Sequence, residues 1–244
     1  MVPPIVHTLW PGDDPFRPEF RNWRRTWLVH NPDWSLRFWR TEPTGDSRVD
    51  RIVGSPAYTP VFKSDVLRWA VLLEHGGLYA DVDLECLRPC GPVLDAAAKT
   101  GFLCAFEPRW PRRPWELVQA APVASNAVLV AAPGHPFVRE MLDGILARAG
   151  CATVEACNTP GAYNEISGPI ALTRRVQQRR DATIAPAEWF FPEAKGNEEA
   201  LRRIAHGEAA EVVVGDAFTR HHWNAGTRGG HAKMLEASGM TGAR

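Results

Sequence analysis

Apolar positions alternate between a strand-like and a helix-like rhythm along this chain. "PPIVHTLW" is a short apolar run that reads as a strand ending at Trp10, and "PGDDP" breaks it with turn residues. In "PEFRNWRRTWLVHNP", Phe20, Trp23 and Trp27 recur at helical spacing with arginines between them, and Pro32 follows the end. "WSLRFW", residues 34 to 39, alternates as a half-buried strand. Strand, helix, strand predicts a parallel sheet covered by helices. Residues 41 to 60 read as turn-rich and irregular. "KSDVLRWAVLLEHGG" then predicts a helix capped by Ser64, with Asp65 at its positive start and the glycines after His75 at its end.

The alternation continues with strands expected at Leu78 to Leu84, at "GFLCAF" and at "NAVLVA", and a helix from Pro136 to about Ala149. A Gly-rich connection leads to "SGPIALTRRVQQ", a helix behind Ser167, and "EVVVGDAF" predicts a late strand. The polar, glycine-rich end reads as a tail. The expected organisation is one α/β domain over residues 1–227 with a tail at 228–244, free of internal repeats.

Composition narrows the function. Lys plus Arg and Asp plus Glu each total 28, so the net charge is zero and there is no overall basic field for nucleic acid. The first residues lack the features of a secretory signal, and no run of about 18 apolar residues is present, so the sequence reads as cytoplasmic without an integral membrane segment. The five cysteines lack the paired close spacing of a zinc site and are expected to be free and mostly buried thiols. Ten tryptophans suit a large core, and some suit a flat face for a ring-shaped ligand.

The chemistry concentrates in "GGLYADVDLECL", residues 76 to 87. In an extended chain Asp81 and Asp83 project from one face, while Val82 and Leu84 pack on the other. Two such carboxylates repel and lose hydration, and a divalent cation relieves both problems; hard oxygen ligands favour Mg²⁺ or Mn²⁺. An exposed strand end with two solvated aspartates is the bland alternative. On the preceding helix Asp65 and Arg68 share a face, suited to hydroxyl or phosphate oxygens or simply to a surface ion pair.

The run "KSDVLRWAVLLEHGGLYADVDLECL" resembles the sugar-nucleotide core of DXD-containing glycosyltransferases, the family of initiating α-mannosyltransferases and capsular sugar transferases, and that of clostridial glucosylating toxins. The likeness extends more loosely to the first strand, "SNAVLVAAPGHPF", "SGP" and "HHW". It implies a GT-A-type, Rossmann-like nucleotide-sugar-binding fold with a mainly parallel sheet flanked by helices. It also implies a metal-dependent, retaining transfer of hexose from a UDP- or GDP-sugar to a glycan or small-molecule acceptor, with Mn²⁺ or Mg²⁺ as cofactor.

Carried over, Asp83 would ligate the metal, and Asp81 would contact ribose and donor sugar and touch the metal. Asp65 and Arg68 would hold the hexose, and Trp10 would stack on the base, with His7 on the same strand. Of the "HHW" histidines, one would ligate the metal and the other meet the diphosphate; His222 is set down as the ligand and His221 as the diphosphate contact, with the reverse order left open. Asn126 falls where similar enzymes place a polar group near the donor sugar, and Ser167 beside the acceptor cleft; a strand edge and an ordinary N-cap are the plain alternatives. The family's Ser-Trp pair after "HHW" is replaced here by Gly226 and Thr227, which puts a third ligand and a closing tryptophan in doubt. "EPRWPRRPW", residues 107 to 115, is a candidate acceptor loop. A nucleotidyltransferase of similar fold and an inactive carbohydrate-binding module are the competing functions, although no Gly-rich basic phosphate loop follows the first strand.

Overall fold

A computed structural model describes residues 1–12, 15–107, 123–192 and 215–222. A six-stranded sheet forms the centre. Its strands are β1 (Ile5–Leu9), β2 (Ser35–Trp39), β3 (Gly77–Ala80), β5 (Phe102–Ala105), β6 (Val128–Ala131) and β7 (Thr183–Ala185), in the order β2-β1-β3-β6-β5-β7. Only β6 runs against the others: β1 pairs in parallel with β2 and β3, and β5 with β7, whereas β6 is antiparallel to both β3 and β5. The result is the expected mostly parallel α/β sheet with one reversed strand. A separate two-stranded ladder joins β4 (Leu84–Cys86) to β8 (Thr219–His221).

The central strands are buried on both faces, which is why they read as continuous apolar runs. Their parity sorts side chains between two cores. Tyr79, Phe102, Cys104, Leu129 and Ala131 join the core under α2 (Ser47–Val53), α3 (Pro60–His75), α5 (Pro136–Cys151) and α8 (Pro169–Val176). Leu78, Ala80, Leu103, Val128 and Val130 face the other core, which includes Trp27 of α1 (Pro18–His30) and Val93 of α4 (Gly91–Ala97).

Several local expectations change. Residues 41 to 60 are not wholly irregular, because Asp46 caps α2 by accepting from Arg48 N. Helix α3 begins a turn before Ser64: Thr59 is its N-cap, accepting from Phe62 N, and Pro60 occupies the first turn. Ser64, Asp65 and Arg68 therefore lie inside the helix, not at its dipolar start. The connection expected before Ser167 contains α6 (Val154–Asn158) and α7 (Pro160–Ile166), and the N-cap of α8 is Gly168, with Ser167 ending α7.

The strand expected over Leu78 to Leu84 is broken. It pairs through Ala80, turns at Asp81 to Asp83 with Leu84 N donating to Asp81 O (3.0 Å), and resumes as β4 on a different partner. Four cysteines are buried and Cys151 is exposed, all of them free. Of the late strand expected at 211–218, residues 211–214 lie outside the described residues. So do 108–115 of the candidate acceptor loop, Trp223, Gly226, Thr227 and the expected tail.

Two glycines allow β3 to follow directly on α3. Gly76 and Gly77 have φ of 63° and 97°. A Cβ on Gly77 would meet Ile5 O at 2.6 Å, and one on Gly76 would meet Pro133 Cδ at 2.5 Å. Only glycine lets the chain leave α3 and enter the sheet beside β1 at this distance.

Candidate functional site

The site lies at the carboxyl ends of β1 and β3, the edge where open α/β sheets bind ligands. Asp81 follows β3, with its N–H bonded to Ala127 O at 2.9 Å. Val82, between the two aspartates, turns into a small aromatic cluster with Phe16 and Phe20, against which Trp10, Trp23 and Phe38 pack. Leu84 enters the other core, where Trp27 Nε1 donates to its carbonyl at 3.1 Å. Burial of Val82 and Leu84 on separate clusters holds the turn rigid and aims both carboxylates to one side.

The third member comes from far along the chain. Leu84 pairs with His221 in the β4–β8 ladder, and His222 N donates to Asp83 O at 2.9 Å. This register brings His221 Nε2 to 3.1 Å from Asp83 Oδ1. One ligand atom from each of Asp81, Asp83 and His221 lies within 4.8 Å of the others. Two carboxylates and an imidazole are a suitable donor set for Mn²⁺, while Mg²⁺ would draw on the carboxylates alone. Extended-strand parity is thus not what gathers the aspartates; a tight turn and a distant strand do so.

Of the two histidines, His221 is the one that faces the aspartates. His222 points away from the aspartates, bonds Glu85 Oε2 at 2.9 Å and stacks on Trp23 with ring centroids 4.0 Å apart. Burial lowers its pKa despite Glu85. Burial also works against a charged His221, but the adjoining Asp83 and Asp81 carboxylates outweigh it and hold its pKa above the ordinary value. His7 is displaced from the site altogether: it is fully buried, Nε2 donates to Gly76 O at 2.8 Å, and Nδ1 accepts from Trp39 Nε1 at 3.0 Å.

Behind the turn stands a buried polar network. Asp65 and Arg68, expected as a possible surface pair, are an interior one at 2.9 Å with side chains 5% exposed. Asp65 also accepts from Asn126 Nδ2 and from Ser167 Oγ, each at 2.9 Å. Its oxygens are thus turned inward, so Asp65 orients Arg68, Asn126 and Ser167 rather than reaching outward itself. Arg68 donates to Asn126 O and to Asp81 Oδ1, the latter at 3.4 Å, and its guanidinium lies 4.6 Å from the Tyr79 ring centroid.

Burial raises the pKa of Asp65, and Arg68, Ser167 and Asn126 oppose that rise. Burial and neighbouring Asp83 likewise raise Asp81, against Arg68 and His221. An added cation would offset this crowding of acids. Trp10 is partly buried, edge-on to Phe16 at 5.6 Å and tilted against Phe20 at 5.3 Å, beside the turn.

Sequence reasoning passed over Tyr79, whose hydroxyl donates to Asp81 Oδ1. Its position two residues before Asp81 was the available signal, because side chains at that spacing share a side of a strand. Glu85 and Trp23, which hold His222, carried no such signal: their contacts cross β8 and α1.

This architecture, an α/β sheet with acidic residues at its carboxyl edge, is the glycosyltransferase fold of GT-A type. Residues 18–100 match the family model described as "Glycosyltransferase sugar-binding region containing DXD motif". The chain is 30% identical over 155 residues to an initiation-specific alpha-1,6-mannosyltransferase of Schizosaccharomyces pombe, covering 57% of this chain and 39% of that protein. It thus spans about two fifths of that relative's length. In fold it resembles a glycosyltransferase involved in glycosylation of the major capsid of PBCV-1, with a TM-score of 0.53, 11% identity and coverage of 96% and 100% of the two chains. It also resembles the glycosyltransferase domain of the YGT toxin, with a TM-score of 0.50, 10% identity and coverage of 86% and 87%. No described helix is long and apolar enough to cross a membrane.

Proposed function

We propose that this protein is a glycosyltransferase that moves a hexose from a nucleoside-diphosphate sugar to a glycan or small-molecule acceptor, with a divalent cation held by Asp81, Asp83 and His221. The observation that carries this reading is the convergence of those three side chains, two from the turn after β3 and one from the end of β8, with Asp83 and His221 138 residues apart in the chain. The named activity of the mannosyltransferase relative makes mannose the first hexose to test in the donor.

A bound cation would supply Lewis-acid stabilisation to the departing diphosphate. The chain's own residues do the rest. Arg68, fixed by Asp65, holds Asp81 and Asn126 in place and lends positive charge to the donor side of the turn. Trp10 offers an aromatic plane to the base, where stacking contributes about 1 to 3 kcal/mol in other base-binding sites. The reading includes retention at the anomeric carbon, with the acceptor entering on the leaving-group face, so no separate carboxylate base is needed. Product NMR reads that configuration directly.

Asp83→Asn keeps the shape of a buried side chain while removing its charge. It is expected to lower Mn²⁺-dependent donor turnover by at least ~100-fold with an unchanged circular dichroism spectrum. Slow hydrolysis of a panel of UDP- and GDP-sugars, with and without Mn²⁺, is the measurement. Undiminished turnover in the variant would remove the metal role, and metal-indifferent binding of free glycans without turnover would instead identify a carbohydrate-binding module.

A further inference from the structure

Helix α1 carries a second stripe that the donor site does not use. Arg21, Arg24, Arg25 and Leu28 follow the spacing i, i+3, i+4, i+7 and, with Leu36 of the edge strand β2, line a cavity of about 320 Å³. That volume is at the small end of the ~300–1,000 Å³ range of ligand pockets.

Among the described residues no carboxylate pairs with Arg21, Arg24 or Arg25. Elsewhere arginines meet acids, as Arg48 meets Asp46 and Arg179 meets Asp181. Arg24 lies with its guanidinium 4.8 Å from the Phe38 ring centroid, and its Nε is buried without a hydrogen-bond partner. Burial lowers its pKa, and no acid opposes that fall. An anionic group seated in the cavity would lie beside three positive charges.

The rim of the stripe is apolar. Leu28 is 44% exposed and the next residue, Val29, 65% exposed, at the end of α1. Arginines able to bind phosphate beside exposed aliphatic side chains match the boundary between lipid headgroups and acyl chains. A free anion would account for the arginines but not for the neighbouring aliphatic rim.

We propose that this stripe of α1 is a docking surface for an anionic membrane, with lipid phosphate groups received by Arg21, Arg24 and Arg25 and the surface entered by Leu28 and Val29. Because Trp23 of the same helix stacks on His222, and Trp27 bonds the carbonyl of Leu84, docking would hold the donor site at a set orientation to the lipid surface.

Co-sedimentation with vesicles of phosphatidylcholine, with and without phosphatidylserine, tests this. The protein is expected to bind the serine-containing vesicles and not the neutral ones, with binding weakened by added salt. Arg21→Gln/Arg24→Gln/Arg25→Gln is expected to weaken binding at least ~10-fold while leaving nucleotide-sugar hydrolysis in solution unchanged. The exposed pair alone, Arg21→Gln/Arg25→Gln, serves should loss of Arg24 disturb packing on Phe38, and is expected to weaken binding in the same direction. Inorganic phosphate is titrated in parallel. Absence of binding to anionic vesicles, equal binding by the double variant, or tight binding of phosphate without vesicle association would each overturn the proposal. Since the vesicle measurement requires no turnover, its result is independent of whether the donor reading holds.

Discussion

Asp81 shows how much one side chain inherits from its neighbours: Tyr79 donates to it, Arg68 lies 3.4 Å away, and Asp83 and His221 complete its surroundings. His7 shows the opposite outcome. Its position on the first strand suggested a ligand contact, yet both ring nitrogens are occupied and burial pushes its pKa down to about 4 from an ordinary 6.5. The folded value lies below the unfolded one, so the unfolded chain binds more protons in the interval between them. The stability contributed by neutral His7 is therefore complete above pH 6.5 and is lost as pH falls towards about 4. The full loss is roughly 3 kcal/mol. Urea unfolding across that interval is expected to show this slope, and His7→Gln to flatten it. An unaltered slope would assign the proton uptake to another group.

Helix α3 and the strand after it form the element that matters most to the site. The apolar side of α3 was readable from Val66, Trp69 and Ala70, all of which are buried. Its start was not, because Ser64 and Thr59 are both competent caps, and Pro60 with the Phe62 N–H selects Thr59. That shift of one turn takes Asp65 and Arg68 from a helix end into the interior, where their pair is shielded from water and bonded on every side. The exit from α3 is equally restrictive. Gly77→Ala would place a methyl group 2.6 Å from Ile5 O at a φ of 97°, and is expected to cost at least ~2 kcal/mol. Thermal unfolding of the purified variant checks this; a melting temperature equal to that of the parent protein would mean that β1 and β3 can separate without penalty.

Across the whole molecule, the site depends on β8 as much as on the acidic motif. A chain ending at residue 214 retains every strand of the six-stranded sheet but loses His221 and the partner of β4. It is expected to keep most of its far-ultraviolet dichroism and to lose Mn²⁺ affinity by at least ~10-fold, as His221→Ala would also do. Electron paramagnetic resonance of free Mn²⁺ reads that difference, and native affinity in both proteins would exclude the histidine. The amino-acid order by itself determined the α/β alternation, the buried strands and the acidic pair, because these follow from the periodicity of nearby side chains and from charges placed next to an apolar run. Tertiary structure alone decided that Asp81 and Asp83 converge through a turn and that His221 rather than His222 faces them. It also decided that His7 belongs to the core. The physical reason is that strand pairing and burial join positions more than a hundred residues apart, and a shift of one residue in β8 would exchange which histidine points inward.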